Sequence, residues 1–306
     1  MKKIITSYNG PDLDGVACMF AYEEYLKNKG ENAHYYINGK PKEEVKIVCD
    51  IFNIHLNSLK NWEKPSEAVL VDLNNVNRLK FIKPEEVVEI IDHHVKTESC
   101  NLCVNAKVQI ELLGAAATLV AERFKNENIK ISRESAILLY YAIISNSINL
   151  KAKTTKRKDI EMTDWLKNNC AEISEEKIEE IFRKKSILKD ENLREDMEAK
   201  IVLNFKGKRL IAAQLEITNV EDFLKEKEEK IRNILKQIKK EEKLNYIFID
   251  CIDILKGTSI ILTVDTETEN FLGEMFNFKF KAGKSKQKEL VTRKDITNNL
   301  RLKNEK

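Results

Sequence analysis

The chain has 306 residues, 42% of them hydrophobic, and a net charge of only +3 because 53 basic residues face 50 acidic ones. Such balance gives no electrostatic reason to expect nucleic-acid binding, so an anion site would have to be a local cluster. The sequence contains no apolar run of membrane-spanning length, and strand-like residues follow Met1 directly. These features predict a cytoplasmic protein without a membrane segment, and the length favours two domains.

Six cysteines are scattered along the chain and do not form the dense framework of a small secreted domain. Cys100 and Cys103 make a lone C-x-x-C motif. A zinc site would need a second pair, and a redox motif would need a helix start that lowers a thiol pKa. We therefore interpret the six as incidental thiols in a reducing compartment.

Short β-branched runs alternate with amphipathic segments through the first half of the chain. This alternation predicts an α/β domain with a mainly parallel sheet and flanking helices. The predicted strands are 3–7, 33–37, 68–71, 87–91 and 107–112. The predicted helices are 16–27, 42–54, 114–124, 132–144, 159–168 and 175–185, and Ser132 is expected to cap the fourth of them.

A highly charged stretch at 184–198 mostly lacks apolar periodicity, so we place the domain junction there, with domains at 1–187 and 188–306. The second domain is predicted to be smaller and of the α+β class. Its predicted strands are 200–205, 209–217, 246–250, 258–264 and 277–281, and its predicted helices are 220–240 and 269–276. A basic segment at 281–288 follows, which taken alone would be a solvated loop.

Acidic residues close three predicted strands of the first domain. The strand at 87–91 runs into Asp92-His93-His94, the strand at 68–71 ends in Asp72, and Asp12 and Asp14 follow the first strand. Parallel strands end at one edge of a sheet, where ligands bind, so a shared carboxylate-rich edge is expected. Each residue also has a structural interpretation. Asp72 could cap a turn and Asp14 could be a helix N-cap, whereas Asp12 is less easily explained by capping.

Carboxylates suit hard divalent cations, and imidazole adds a preference for ions such as Mn²⁺, Co²⁺ or Zn²⁺. The strand-end residues could supply a two-metal cluster, in which ions ~3.5–4 Å apart promote attack of water on phosphorus. Lysines of the basic segment could neutralise phosphate oxygens as charge develops. This combination favours phosphate chemistry.

At these motifs the chain resembles a known family. Asp12-Leu13-Asp14-Gly15, Asp72 and Asp92-His93-His94 are similar, in order and spacing, to the first three motifs of DHH phosphoesterases. The stretch from 114–118 through 144–147 to Asp159 resembles manganese-dependent inorganic pyrophosphatases and exopolyphosphatases. The segments 214–216 and 285–288 resemble the DHH-associated second domain of those enzymes.

The resemblance implies roles residue by residue. Asp12 would bind the first metal, Asp14 and His93 the second, and Asp72 would bridge them. Asp92 would orient a ligand, and His94 would act on the substrate as a donor or acid. Phosphate-binding residues would come from the second domain, namely Ser285, Lys286 and Lys288.

Two departures fall on the first metal. Tyr8 stands where the family has a histidine, and Asn146 stands where it has an aspartate. Asn146 could still offer an amide oxygen to the metal, but without charge. The resemblance therefore implies an intact second metal position and an altered first one.

The function predicted is a metal-dependent hydrolase of phosphoanhydride bonds, of the pyrophosphate or short polyphosphate class. It would use one or two Mn²⁺ ions, or Mg²⁺ or Co²⁺. One alternative is a weakly active or inactive relative that binds a phosphate, a nucleotide or a protein partner. A second is an oligonucleotide or cyclic-dinucleotide phosphodiesterase, against which the glycine-poor second half of the chain argues. The expected partner is a small phosphate-containing substrate, and the oligomeric state is open.

Overall fold

A computed structural model describes residues 2–60, 67–188, 190–197 and 201–304. The chain divides into two compact units, Met1–Ile181 and Phe182–Lys306. Each unit is built on its own five-stranded sheet. Within the described residues, no helix combines the length and the apolar character needed to cross a membrane.

The sheet of the N-terminal unit is entirely parallel, with strand order β2-β1-β3-β4-β5. Its central strands are buried on both faces, which explains their continuous runs of Val, Ile and Leu. The strands are β1 Lys3–Thr6, β2 Ala33–Tyr36, β3 Glu67–Val71, β4 Val87–Asp92 and β5 Lys107–Ile110. These five confirm the predicted parallel sheet.

Among the described residues, six α-helices begin in the N-terminal unit, and the last of them extends past Ile181, where that unit ends. The strongly apolar α4 is buried against α1 and α5, and Ser132 caps it by accepting from Ser135 N, as the sequence predicts. The helices are α1 Leu13–Asn28, α2 Glu43–Phe52, α3 Ala116–Asn126, α4 Arg133–Asn146, α5 Arg157–Asn169 and α6 Glu175–Lys185.

The C-terminal unit has a mixed sheet of order β10-β9-β8-β7-β6, in which only β7 and β8 run parallel. One face packs against the long amphipathic helix α8 and the other against α9 and α10. The strands are β6 Ile201–Phe205, β7 Lys208–Ile217, β8 Tyr246–Asp253, β9 Thr258–Thr263 and β10 Lys284–Gln287. The helices are α7 Leu193–Met197, α8 Val220–Glu241, α9 Thr266–Phe276 and α10 Arg293–Asn304.

Several boundaries in this unit differ from the prediction. The strand predicted at 277–281 is wrong, because the chain forms no strand there and the edge strand β10 lies within the basic segment instead. The α7 and α10 helices were not predicted. The first predicted strand begins at Ile201 in the structure, and Lys200 lies outside the described residues.

Candidate metal centre

The parallel sheet brings the predicted acids together. In the sheet β1, β3 and β4 are adjacent, and their carboxyl ends point the same way. Asp92 is the last residue of β4, Asp72 directly follows β3, and Asp12 and Asp14 lie at the turn from β1 into α1. The predicted carboxylate-rich edge therefore exists in the fold.

Asp12 is the N-cap of α1, which corrects the expectation that Asp14 was the better candidate for that position. The helix begins at Leu13, earlier than predicted, because Asp12 is extended and its Oδ1 accepts from the N–H groups of Asp14 and Gly15 at 3.0 and 3.3 Å. Tyr8 Oη accepts from Asp12 N at 3.2 Å, and the guanidinium of Arg78 lies 5.1 Å from the Tyr8 ring centre. Capping therefore occupies one oxygen of Asp12.

Asp14 is buried at the N-terminus of α3. Its two carboxylate oxygens accept from Ala116 N and Ala117 N, both at 2.8 Å. The small residues at the start of α3 let its N–H groups approach an anion closely, and here that anion is the Asp14 carboxylate. Asn146, the last residue of α4, donates from Nδ2 to Asp14 Oδ2 at 2.8 Å. Asp14 is therefore well supplied with protein donors.

Asp159 holds the start of α3 in place. Its Oδ2 accepts from Gly114 N at 2.9 Å and from Lys156 N at 2.7 Å, and its Oδ1 accepts from Thr118 Oγ1 at 2.5 Å. A methyl group at position 114 would lie 3.1 Å from the Asp159 carboxyl, so glycine permits this close approach. Asp159 is fully buried and positions the N–H groups that bind Asp14.

Asp72 and His93 form the buried centre of the site. Asp72 adopts a left-handed backbone conformation at the end of β3, with φ +53°. Its Oδ1 lies 3.5 Å from His93 Nε2 and has no hydrogen-bond partner among the described residues. His93 Nδ1 faces Leu113 O at 3.0 Å, which favours a proton on Nδ1 and leaves Nε2 to face Asp72 and Asp14.

Asp92 organises the turn that carries both histidines. Its Oδ1 accepts from His93 N at 2.8 Å and His94 N at 3.3 Å, and it lies 2.9 Å from His94 Nδ1. Asn74 donates to the other oxygen of Asp92 and also bonds Val95 O and Thr97 N. His94 is about half exposed, with 48% of its side chain accessible, so it faces solvent while Asp92 orients it.

The electrostatics of this cluster require positive charge. Burial raises the pKa of the Asp72 carboxyl well above its usual range, and the charge of Asp14 raises it further. Burial lowers the pKa of His93, but the close approach of the Asp72 carboxyl and the charges of Asp14 and Asp72 outweigh it and raise that pKa to about 9. Burial also opposes ionisation of Asp92, yet the hydrogen bond and charge of His94 bring its pKa below the usual value. A proton or a divalent cation can supply the missing charge.

The residues present fit a metal ion of the Mn²⁺ class. Asp72, His93 and His94 each offer a ligand atom, and these atoms lie within 4.8 Å of one another. The unpartnered Asp72 Oδ1 is the acceptor that such an ion would satisfy. Asp14 Oδ2 lies 3.7 Å from His93 Nε2, so it borders this group. One carboxylate and two imidazoles are a donor set that Mn²⁺, Co²⁺ and Zn²⁺ accept.

Asn146 and Tyr8, where the resemblance implies ligands of the first metal, are engaged with protein groups. Asn146 presents its amide N–H to Asp14 and lies with Nδ2 3.4 Å from His93 Nε2, rather than offering an oxygen to a cation. Tyr8 is largely buried, and burial followed by the charges of Asp12 and Asp72 raises its pKa far above 10, so it stays a neutral phenol. These two side chains occupy the positions where the resemblance implies ligands.

The predicted phosphate-binding residues lie on and after β10. Ser285 is buried, and its Oγ accepts from Gln287 Nε2 at 2.8 Å. Lys286 is exposed and donates to Glu221 Oε1 at 2.7 Å, and Lys288 is exposed. Since side chains alternate along a strand, Ser285 and Lys286 lie on opposite faces of the sheet. They do not form one cluster within their unit.

Two residues that support the site were not identified from the sequence. Glu44 of α2 accepts from Leu13 N at 3.2 Å and from Ser145 Oγ at 2.8 Å, which ties the helix start at Asp12 to the end of α4. Its charge, after burial, helps to raise the pKa of Asp12. Asn74 is the side chain that fixes Asp92. The roles of Glu44 and Asn74 depend on tertiary contacts, which a single sequence does not reveal.

Comparisons with known proteins agree with this geometry. Residues 2–143 match the model of the DHH family, N-terminal domain. A manganese-dependent inorganic pyrophosphatase of Bacillus subtilis (strain 168) is 26% identical over 299 residues, covering 96% of this chain and 95% of that protein. One from Methanothrix thermoacetophila is 26% identical over 265 residues, covering 86% of this chain and 85% of that one.

A solved structure extends the likeness to the whole fold. The crystal structure of a Methanococcus jannaschii protein described as a family II inorganic pyrophosphatase matches with a TM-score of 0.74. It is 23% identical and covers 99% of this chain and 100% of that chain, so it shows a common architecture for both units. The predicted resemblance is confirmed: residues 2–143 match the N-terminal domain of the DHH family, and the chain as a whole is similar to manganese-dependent inorganic pyrophosphatases.

Proposed function

We propose that this protein is a metal-dependent hydrolase of phosphoanhydride bonds, acting on pyrophosphate or short polyphosphate. The observation that carries the proposal is the convergence of the buried Asp72 and His93 with the half-exposed His94, at the carboxyl edge of a domain that matches the DHH family. The similarity to manganese-dependent inorganic pyrophosphatases over 96% of the chain supports the substrate class. A cytoplasmic location stays a prediction from the sequence.

Asp72 and His93 would hold one ion, with Asp14 bordering it and His94 beside it. When bound, a Mn²⁺-class ion supplies positive charge to phosphate oxygens and lowers the pKa of water. The chain's own residues then do the positioning. Asp92 fixes the His94 ring through Nδ1 at 2.9 Å, so the exposed side of that ring can donate to a phosphate oxygen or a leaving group.

We propose that the work is divided between the two predicted domains. The compact units divide at Ile181, a few residues before the predicted boundary at 187. The N-terminal unit carries the metal ligands, and the C-terminal unit would bind phosphate through lysines such as Lys286 and Lys288. Lys presents a point charge rather than the bidentate fork of Arg, so the grip on phosphate would be looser.

A second candidate is a weakly active relative that binds a phosphate-containing ligand. The arrangement of Asn146 favours it, because this amide donates to Asp14 where the resemblance implies a second carboxylate. The neutral phenol of Tyr8 adds to it. Both observations support one complete metal position rather than two.

Phosphate release separates these candidates. The wild-type protein loaded with Mn²⁺ is assayed on pyrophosphate, tripolyphosphate and a short oligonucleotide, with His93→Gln as the matched variant lacking a ligand. Turnover of the first two that His93→Gln abolishes supports the hydrolase. Binding without turnover supports the second candidate, and turnover of the oligonucleotide alone contradicts both.

Ion counting tests the altered half directly. We expect about one tightly bound Mn²⁺ per wild-type chain by calorimetric titration. The double variant Tyr8→His with Asn146→Asp adds an imidazole and a carboxylate, so it should bind a second ion. Tyr8→Phe with Asn146→Ala is the control, since it changes the same positions without adding ligands. Two tightly bound ions in the wild type would contradict a site with only one complete metal position.

A further inference from the structure

The loop after β3 places an arginine beside Tyr8. Arg78 is the last residue of a short 3₁₀ turn, Val76–Arg78, in the loop that begins at Asp72. The Arg78 guanidinium lies 5.1 Å from the centre of the Tyr8 ring. Tyr8 Oη in turn accepts from Asp12 N at 3.2 Å. The guanidinium is therefore stacked on a ring whose far end contacts the capped start of α1, next to the buried acids.

The backbone that carries Arg78 is held in place. Val76 and Leu79, on either side of it, are buried in one hydrophobic cluster. Arg78 N donates to Asn75 O at 3.1 Å, and Asn75 Oδ1 accepts from Ser99 Oγ at 2.9 Å. Packing and hydrogen bonds thus fix the position of Arg78 in the loop, while its side chain is exposed.

A second arginine that stacks on a tyrosine shows what is unusual about Arg78. The guanidinium of Arg123 lies 5.2 Å from the Tyr22 ring, but it also forms an ion pair with Glu89 at 2.7 Å. The guanidinium of Arg78 makes no hydrogen bond or ion pair with another described residue. Its N–H donors are therefore available to an anion, whereas those of Arg123 are used within the fold.

The charge balance of the metal centre calls for such a cation. Five carboxylates lie at the centre or directly behind it, whereas one divalent ion brings only two positive charges. They are Asp12, Asp14, Asp72, Asp92 and Glu44. Pyrophosphate would add negative charge of its own. A centre with one complete metal position therefore needs a further cation near the substrate, and a guanidinium can bind two phosphate oxygens at once.

We propose that Arg78, supported by the Tyr8 ring, binds a phosphate group of the substrate and supplies the positive charge that a first metal ion would otherwise bring. The inference rests on the proposed function and adds a substrate-binding residue to it. Tyr8 then stands in the place of a metal ligand and also holds the cation that replaces the metal. The bidentate grip that lysines of the C-terminal unit cannot provide comes from Arg78 instead.

Binding of methylenediphosphonate, a pyrophosphate analogue whose P–C–P bridge resists hydrolysis, tests the role of Arg78. In calorimetric titration of the Mn²⁺-loaded protein, Arg78→Gln should weaken binding by about ten- to a hundredfold. Arg78→Lys keeps the charge without the fork, so it should lie between Arg78→Gln and the wild type. Lys80→Gln removes the same charge from an exposed residue of the same loop and is the matched control.

Two further readouts separate substrate binding from damage to the metal centre. Mn²⁺ affinity measured without the analogue should not fall in Arg78→Gln, because Arg78 is not a ligand. The KM for pyrophosphate should rise by about the same factor as the dissociation constant of the analogue. Thermal unfolding of each variant checks the fold.

A pair of substitutions at position 8 tests the support from the ring. Tyr8→Phe and Tyr8→Leu both lose the contact of Oη with Asp12 N, but only Tyr8→Leu loses the aromatic face. Tyr8→Phe should therefore bind the analogue about two- to fivefold more tightly than Tyr8→Leu, the size expected for an exposed cation–π contact.

The outcomes distinguish this inference from the proposed function. If the wild type hydrolyses pyrophosphate and Arg78→Gln matches it in KM and in analogue binding, the role of Arg78 is wrong and the proposed function stands. Equal losses in Arg78→Gln and Lys80→Gln would mean that only long-range charge matters, which also overturns the inference. A wild type that neither binds the analogue nor releases phosphate would overturn both.

Discussion

Asp72 and Asp250 are two buried carboxyls, one in each unit, that look alike in isolation. Burial raises the pKa of both well above the usual range. One oxygen of Asp72 and both oxygens of Asp250 lack a hydrogen-bond partner among the described residues. Their surroundings differ. Asp72 has ring nitrogens of His93 and His94 at 3.5 and 3.6 Å, at a sheet edge. Asp250 lies in the middle of β8, opposite Gln214 of β7 and Ile261 of β9.

The comparison shows that a perturbed acid becomes a candidate metal ligand through its neighbours. A raised pKa shows that burial disfavours the charged carboxylate, whether a proton or a metal ion then neutralises it. At Asp72, His93 Nε2 and His94 Nδ1 face the same space, so a cation there can compensate the buried charge. Near Asp250, Ser259 and Arg293 favour the charged form but make no hydrogen bond to either oxygen, so burial favours the protonated acid.

Metal affinity should separate the two acids most strongly. Asp72→Asn replaces a charged ligand by a neutral amide, and we expect Mn²⁺ affinity to fall by about hundredfold or more, equivalent to roughly 2.7 kcal/mol. Asp250→Asn makes the same chemical change in the other unit and should leave the affinity unaltered. Calorimetric titration of both variants makes the measurement. Equal losses would mean that Asp72 is not a ligand.

A smaller loss of affinity should follow from removing the support of the histidines. Asp92→Asn retains the shape of the side chain, but it weakens the acceptor for His94 Nδ1 and for two backbone N–H groups. We expect Mn²⁺ affinity to fall about ten- to a hundredfold, the usual size of an effect transmitted through a ligand's partner.

Glu98→Gln removes one charge from an exposed residue of the same loop and is the control for long-range electrostatics. If both substitutions change the affinity equally, Asp92 acts only through its charge and does not position His94.

The sequence predicted the edge of the site well because parallel strands obey a simple rule. Mainly β-branched runs such as Val87 to Ile91 are typical of buried strands, and residues that follow such strands meet at the carboxyl edge. The positions of Asp72, Asp92 and His93 follow directly. The partners of Asp14 do not, because Ala116, Ala117 and Asn146 reach it only after α3 and α4 have packed beside α1.

The less predictable parts of the fold draw their stability from neighbours. Lys284–Gln287 has no apolar alternation, and it is a strand because β9 offers a free edge. The helix Arg293–Asn304 is mostly polar and is anchored to the sheet by Ile296 and Leu300.

Helix capping explains the presence of Asp12, because α1 begins at Leu13, directly after it, and not at residue 16 as predicted.

The smallest expected effect is the contribution of Asp250 to the pH dependence of the free energy of unfolding. Its pKa is raised in the folded protein, so above about pH 4 the unfolded chain releases a proton that the folded chain retains. Wild-type stability therefore falls as pH rises through that window, by at most about 1.4 kcal/mol per pH unit. Asp250→Asn has no proton to lose, so it should be more stable than the wild type at neutral pH, by about 1 kcal/mol after the cost of burying an amide.

The advantage should vanish by about pH 3, where both states of the wild type are protonated. Urea unfolding followed by circular dichroism across this range makes the measurement, with the exposed Asp222→Asn as control. A difference between wild type and Asp250→Asn that stays constant with pH would mean that Asp250 is charged in the fold. Arg293, whose Nε and Nη1 have no hydrogen-bond partner among the described residues, would then be the cation that compensates it.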